Sequence, residues 1–519
     1  MNPPEIPSRN HIQAVGVSLG MPLSDDELEI IFDLVPGLVS SYGYISTEVD
    51  SLEMPTIRKP IGRPPTENLY NAWTWKCEIL PTSRGILDGI KVVVKDNIAV
   101  AGLPMRVGSN ITEGWIPGVD AAVVTSLLEN GAEIVGKSQC EDLCISGGSI
   151  TSTPSPVHNP MRRNYSAGGS SSGSAVLVAT GEVDLALGAD QGGSIRIPAS
   201  LCGVVGLKAT FGAIPYTGVL GLESSIDHVG PIARDIETIL KSLQALVKFD
   251  EGDPRQRPFS SEIRRLRSSL DENQLKPLSQ LRVGLISEGF DLTREGECDY
   301  PGAAASADLV LKQAEKLVAL GADIDLISIP EHRLAQHVYL PILLEGGALS
   351  LTSLKSTLFG QGYSSTGNIE SEIVRGLSIN GRAASPLTKL IAIVGNIFFN
   401  ETQGDFYRMA NLLRKRIFDA YDKVFDNYDV LLCPTTAPAG LALEMSGDLK
   451  NIGRETFSFY QNCCVTDLTG HPSISVPAGM IDGLPVGAMF AAKRFDEMTL
   501  LRAAKMFLDT TGSAARNSG

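Results

Sequence analysis

The sequence predicts an α/β protein: a large, mostly parallel or mixed twisted sheet covered by helices on both faces, with a helical cap at the N-terminus. Three observations carry this. From about residue 80, short apolar runs alternate with longer stretches of helical spacing. Hydrophobic residues make up 43% and charged residues 20% of the 519, the balance of a globular chain that can bury a sizeable core. The first 75 residues read differently, without that alternation.

The cap comes first. "SDDELEIIFDLVPGLVSSYGYI" opens on acidic residues suited to a helix N-terminus and continues with helical apolar spacing. "MPTIRKPIGRPPTENL" (Met54–Leu69) then reads as a proline-rich connector. The catalytic-domain candidate, 76–519, follows with "GIKVVV" as a strand, "AAVVTSLLENG" as a helix and "AEIVGK" as a strand. "SSGSAVLVATG" reads as a helix and "EVDLALGA" as the next strand. Further on come strand "RVGLIS", helix "ASADLVLKQAEKLVALGA" and strand "DIDLISI". "LIAIVGNIFF" reads as core, and one long amphipathic helix is expected over Glu401–Asn427. Strands "DVLLCP", "SISVPA" and "LPVGAMFAA" precede a last helix, "EMTLLRAAKMFL". No internal repeat is present.

Composition excludes several function classes. A net charge of −15 with no basic stripe speaks against a nucleic-acid partner. Cys140/Cys144 and Cys463/Cys464 lack the second pair that a zinc site needs, so no metal is expected and the thiols read as reduced and buried. "MNPPEIPSRNHIQ" lacks the basic start and apolar core of a signal peptide, and no run of 18 apolar residues occurs. The expectation is a cytoplasmic protein without a membrane partner.

Two motifs invite readings that their context weakens. "GAEIVGKS" (Gly131–Ser138) fits the phosphate-loop pattern, but its middle is itself a strand and a helix precedes it. "GSSSG" (Gly169–Gly173) fits the nucleophile elbow around Ser171, and Asp467 and His471 could complete an esterase-like triad; the polar, kinked "HNPMRRNYSAG" before it is no core strand.

"GADQGGSIRIPAS" (Gly188–Ser200) is the stronger signal. A strand ending in two glycines brings bare backbone N–H groups close to a ligand, with Ser194 beside them. Ser170 and Ser194 stand 24 residues apart, about one helix and one strand, so the chain returns beside its starting point. No histidine lies between His158 and His228, which leaves lysine as another candidate base, one that burial can hold neutral. Lys95 ends the valine-rich strand "GIKVVVK"; Lys91 shares its strand face but lies at the start, away from the end where α/β sites form. A lysine snorkelling from a strand end would look the same in sequence.

Ser166–Phe211, "SAGGSSSGSAVLVATGEVDLALGADQGGSIRIPASLCGVVGLKATF", resembles the defining signature of the amidase signature family. "VVVKDNIAVAGLPMRVGS" resembles that family's lysine motif. "SSIDHVGPIAR", "LLCPTTAPAG" and "TGHPSISVPAG…GLPVGAMFAAKRFDE" match later landmarks in order, so the resemblance spans about 80–510. The helical cap and "DQGGS" further resemble its enantioselective amidases, which act on apolar and aromatic amides and tend to dimerise through the cap.

The resemblance implies a signature core over about 80–235 and a substrate-facing region over about 290–470. It implies a Ser–cis-Ser–Lys triad with Ser194 as nucleophile, Ser170 as bridging serine and Lys95 as base. It places the oxyanion hole on the backbone N–H groups of Gln191, Gly192, Gly193 and Ser194. It implies a small-molecule amide substrate, no cofactor, no metal and a homodimer. Ser172, Gln191 and Ala209 stand where the family usually has glycine, threonine and proline, and only Gln191 borders the reacting atoms. The alternatives are the amidase component of a glutamine-dependent tRNA amidotransferase, the Ser–Asp–His esterase, and a non-catalytic scaffold of the same fold.

Overall fold

A computed structural model describes residues 4–51, 61–111, 114–277, 280–291, 302–353, 369–437, 439–443, 456 and 458–511. Parts of the proline-rich connector and of the 290–470 region lie outside the described residues. The chain packs as two compact units, Met1–Ile57 and Arg58–Gly519; the described residues from 61 to 75 fall in the second.

In the first unit, a helix over Arg9–Ser18 is capped by Ser8, whose hydroxyl accepts the His11 N–H. The helix over Asp25–Ser51 opens with a capping box: Ser24 N–H donates to Glu27 at 2.8 Å, and Glu27 N–H returns to Ser24 Oγ. Its Ile30, Leu34, Leu38 and Ile45 are exposed in the chain. Over Asp25–Glu48 it is the one single helix among the described residues long and apolar enough to cross a membrane.

The second unit is built on one eleven-stranded sheet. In chain order the strands are β1 (Trp73–Ile79), β2 (Lys91–Lys95), β3 (Glu133–Ser138), β4 (Leu185–Asp190), β5 (Val205–Lys208), β6 (His228–Ala233), β7 (Arg282–Ile286), β8 (Asp323–Ile327), β9 (Val430–Pro434), β10 (Ser473–Ile481) and β11 (Leu484–Ala492). Their spatial order is β1-β3-β2-β4-β6-β5-β10-β11-β9-β7-β8. Four ladders are parallel, joining β3, β2 and β4 on one side and β9, β7 and β8 on the other. The central ladders and the β1–β3 edge are antiparallel. The sheet is therefore mixed, with helices packed against it, and the expected strand–helix alternation is present from β2 to β4 and from β7 to β8.

The core reflects this layering. Val92 and Val94 of β2, Leu185 and Leu187 of β4, Ile474 of β10 and Phe490 of β11 belong to one buried cluster, as continuous apolar strands covered on both faces require. Two sequence expectations change. The helix expected over Glu401–Asn427 is two helices, Pro386–Thr402 and Asp405–Val424. Gln403 and Gly404 both adopt left-handed backbone, which ends the first before Asp405 starts the second. "LIAIVGNIFF" lies in the first of these helices and is only partly core: Ile391 is buried, whereas Ile393, Ile397 and Phe398 are exposed.

Candidate active site

Lys95 is the last residue of β2, held between the parallel neighbours β3 and β4. Three valines draw the strand end into the core, so its side chain is fully buried. Its Nζ donates to Ser170 Oγ at 2.7 Å and to the Ala189 carbonyl at 3.4 Å. Snorkelling to solvent does not occur here.

Ser170 lies in the loop before the helix Ser172–Ala179, and the Gly169–Ser170 peptide bond is cis. That helix returns the chain through β4 to the loop carrying Ser194, as the 24-residue spacing suggested. The two serine loops are tied directly: the Ser171 N–H donates to the Ser194 carbonyl at 3.1 Å. Lys95, Ser170 and Ser194 are thus brought to the same end of neighbouring parallel strands.

The turn from Gln191 to Ser194 is shaped by Asp190. Its carboxylate accepts the N–H groups of Gly193 at 2.5 Å and Ile195 at 3.0 Å, and pairs with Arg196 through Nε and Nη2 at 3.0 and 2.9 Å. Burial alone would raise the Asp190 pKa, but Arg196 and these hydrogen bonds hold it well below the usual carboxylate range. Arg196 also donates to Asp467 at 2.7 Å, to Thr466 Oγ1 at 2.6 Å and to the Cys463 carbonyl at 2.9 Å.

This arrangement corrects one expected donor. Gly193 has φ +120°, which turns its N–H onto Asp190 rather than into the site. Among the described residues, the N–H groups of Gln191, Gly192 and Ser194 have no hydrogen-bond partner. Unpaired donors at a buried turn form a trough for a developing negative charge. A Cβ at Gly192 would stand 2.2 Å from Tyr339 Oη, so any side chain there would have to displace that tyrosine. The Tyr339 contact comes from the helix Glu331–Pro341, which covers the turn.

Gln191 is buried, and its Nε2 donates to Tyr216 Oη at 3.3 Å, while that hydroxyl donates to the Leu220 carbonyl at 3.2 Å. The single Tyr216 hydroxyl proton is thereby committed, which fixes the amide orientation and leaves Gln191 Oε1 without a partner among the described residues.

The elbow alternative is not assembled. Ser171 Oγ is engaged with the Ala189 backbone on both its donor and acceptor sides, at 3.1 and 3.2 Å. Asp467 serves Arg196, and the described carboxylate nearest His471 is Asp422, at 3.9 Å. The phosphate-loop reading fails too: Lys137 lies inside β3, buried, 3.3 Å from Asp96 and donating to the Ile98 carbonyl at 2.8 Å.

Two neighbours escaped sequence reasoning. Its neighbour Cys140, with Lys95 and Ser170, lowers the buried Cys144 thiol from its ordinary value against the effect of burial. Glu141 donates its N–H to the Ser170 carbonyl at 3.3 Å, and burial pushes its carboxyl up to about 7. The signal was "CEDLC" itself, read only for metal-ligand spacing.

The amidase family model matches residues 68–501. The chain belongs to the amidase signature family. It is an amidase, a hydrolase acting on amide C–N bonds. The chain is 36% identical to the enantioselective amidase of Rhodococcus rhodochrous, over 96% of this chain and 95% of that protein. A glutamyl-tRNA(Gln) amidotransferase subunit of Methanosarcina acetivorans is 32% identical over 82% of this chain and 85% of its own. The native peptide amidase structure from Stenotrophomonas maltophilia superposes with a TM-score of 0.65 at 26% identity, covering 82% of this amidase and 83% of that chain.

One pH prediction arises beside the site. His471 is enclosed by the rings of Phe418, Tyr421 and Phe425, and burial lowers its pKa to about 4. Its folded pKa lies below the unfolded value of about 6.5, so this stabilising contribution is complete above pH ~6.5 and is lost as pH falls towards 4. The contribution is on the order of 3 kcal/mol. Urea unfolding should show a steep loss of stability from pH 7 to 4.5, and His471→Asn should flatten that slope. An unchanged slope would refute the assignment.

Proposed function

We propose that this amidase hydrolyses small carboxamides with apolar or aromatic acyl groups, through an acyl-enzyme on Ser194, to the carboxylic acid and ammonia. The carrying observation is the buried Lys95 Nζ–Ser170 Oγ hydrogen bond at 2.7 Å, tied to a Ser194 turn with three unpaired N–H groups. Lys95 takes the Ser170 proton as Ser170 takes that of Ser194, and Ser194 Oγ attacks the amide carbon. The N–H groups of Gln191, Gly192 and Ser194 receive the oxyanion. The proton on Lys95 passes back through Ser170 to the leaving nitrogen, the C–N bond breaks, and water releases the acid by the reverse relay.

Similarity over 96% of the chain to an enantioselective amidase favours this reading over the amidotransferase one, whose relatives match about 82%. Ammonia release from a panel of aliphatic and aromatic amides tests it. Turnover of the panel by the purified chain is expected; activity on glutamine alone, and only with a partner, would establish the second reading. None of the seven described cysteines is in a disulfide, which supports a reducing, cytoplasmic setting. The exposed apolar residues of the Asp25–Ser51 helix support a homodimer, which sedimentation can measure.

A further inference from the structure

A cavity of about 320 Å³ lies outside the site just described; neither Lys95, Ser170 nor any residue from 191 to 194 lines it. Its walls combine three aromatic rings, Phe211, Phe259 and Phe418, with two guanidinium groups, Arg414 and Arg494, and with Thr469. The Phe211 N–H donates to the Gly470 carbonyl at 3.0 Å, joining two of the loops that form it.

The polar groups here are donors in surplus. Arg414 is fixed by hydrogen bonds to the Leu468 carbonyl, to Ser225 Oγ at 3.0 Å and to the Ser225 carbonyl at 2.8 Å. These hydrogen-bond partners are neutral, and Glu223 and Asp467 act on it from farther away. Arg494 lies over the Phe259 and Phe418 rings, its Cζ 4.7 and 5.6 Å from their centroids. Among the described residues no carboxylate lies within 4.0 Å of either guanidinium. Asp422, Glu262 and Glu497 act on Arg494 only from farther away. Arg494 Nε and Thr469 Oγ1 are buried without any hydrogen-bond partner among the described residues.

Both guanidinium groups are half-buried with no described carboxylate at hydrogen-bond distance, and a guanidinium meets a carboxylate through two parallel hydrogen bonds. Aromatic walls add an offset-stacking or edge-on surface for a flat ring. The volume falls in the range of small-molecule sites. We propose that this cavity is a second binding site for a small aromatic carboxylate, with its ring among Phe211, Phe259 and Phe418 and its carboxylate on Arg494 and Arg414. That is the chemical class of acid released from an aromatic amide, but the site stands on its own geometry and does not require the hydrolytic mechanism.

The test is a fluorine NMR titration of the full chain with 4-fluorobenzoate, run beside 4-fluorobenzyl alcohol, acetate and inorganic phosphate. No turnover is needed, so its outcome is separate from that of the proposed reaction. In wild type, one class of bound 4-fluorobenzoate should weaken at least tenfold in Arg494→Gln and measurably in Thr469→Val, with thermal unfolding showing both variants folded. The alcohol should not compete for that class. Unchanged binding in both folded variants would overturn the site. Equal binding of acetate or phosphate would overturn its aromatic preference, and equal binding of the alcohol would overturn its dependence on charge. Phe259→Leu gives a variant that keeps both guanidinium groups: it should weaken 4-fluorobenzoate but not phosphate, and the reverse would refute the placement of the ring.

Discussion

Ser194→Ala should lower amide turnover by about 10⁴-fold or more, because the acyl intermediate then has no oxygen to form on. The change removes one atom from a residue that is only 8% exposed, and it leaves the 2.7 Å Lys95–Ser170 hydrogen bond intact. Folding should therefore survive, and the loss should appear in kcat and in single-turnover acylation alike. A fluorophosphonate should add once to wild type, with peptide mapping placing the adduct on Ser194. An adduct on Ser171 would sink the assignment and restore the elbow reading, although that hydroxyl is already committed to Ala189.

Lys95→Ala should cost nearly as much, about 10³- to 10⁴-fold, since Ser170 would lose the acceptor for its proton. The variant also leaves a cavity in the core, so Lys95→Met, which restores most of the volume without a base, separates chemistry from stability. Both should be inactive, and Lys95→Met should unfold closer to wild type. Lys91→Ala is the matched control at the exposed start of the same strand and should keep its activity. Lys137→Ala is different: that lysine is buried against Asp96, so the variant should lose stability while its folded fraction still turns over amide. Comparable activity in Lys95→Met and wild type would end the lysine mechanism.

The site was legible in sequence to the extent that it is local. Helix Ser172–Ala179 and β4 lie between the two serines, and their lengths alone return the chain to its starting edge. The valines before Lys95 marked a strand in the core, but they could not tell a buried lysine from one snorkelling to solvent. The break at Gln403–Gly404 was also written locally, as a glycine followed by an acidic first turn, but the apolar periodicity on both sides masked it. What could not be read depends on distant partners. β5 and β6 are short, and each is defined by antiparallel pairing; His228 meets Asp190, 38 residues earlier. The Gly193 N–H looked available until the Asp190 carboxylate, itself oriented by Arg196, was placed beside it. Tyr339 reaches Gly192 from a helix almost 150 residues away, a contact that no local pattern encodes.

That last contact divides the candidate site by position along the chain. The groups proposed to move protons and receive charge, Lys95 to Ser194, occupy a single block of 100 residues, while Tyr339, beside Gly192, comes much later in the chain. Substitutions in the later block can therefore reshape the wall over Gly192 and leave the proposed proton relay untouched. A library confined to the Glu331–Pro341 helix is accordingly the economical place to look for new substrate ranges.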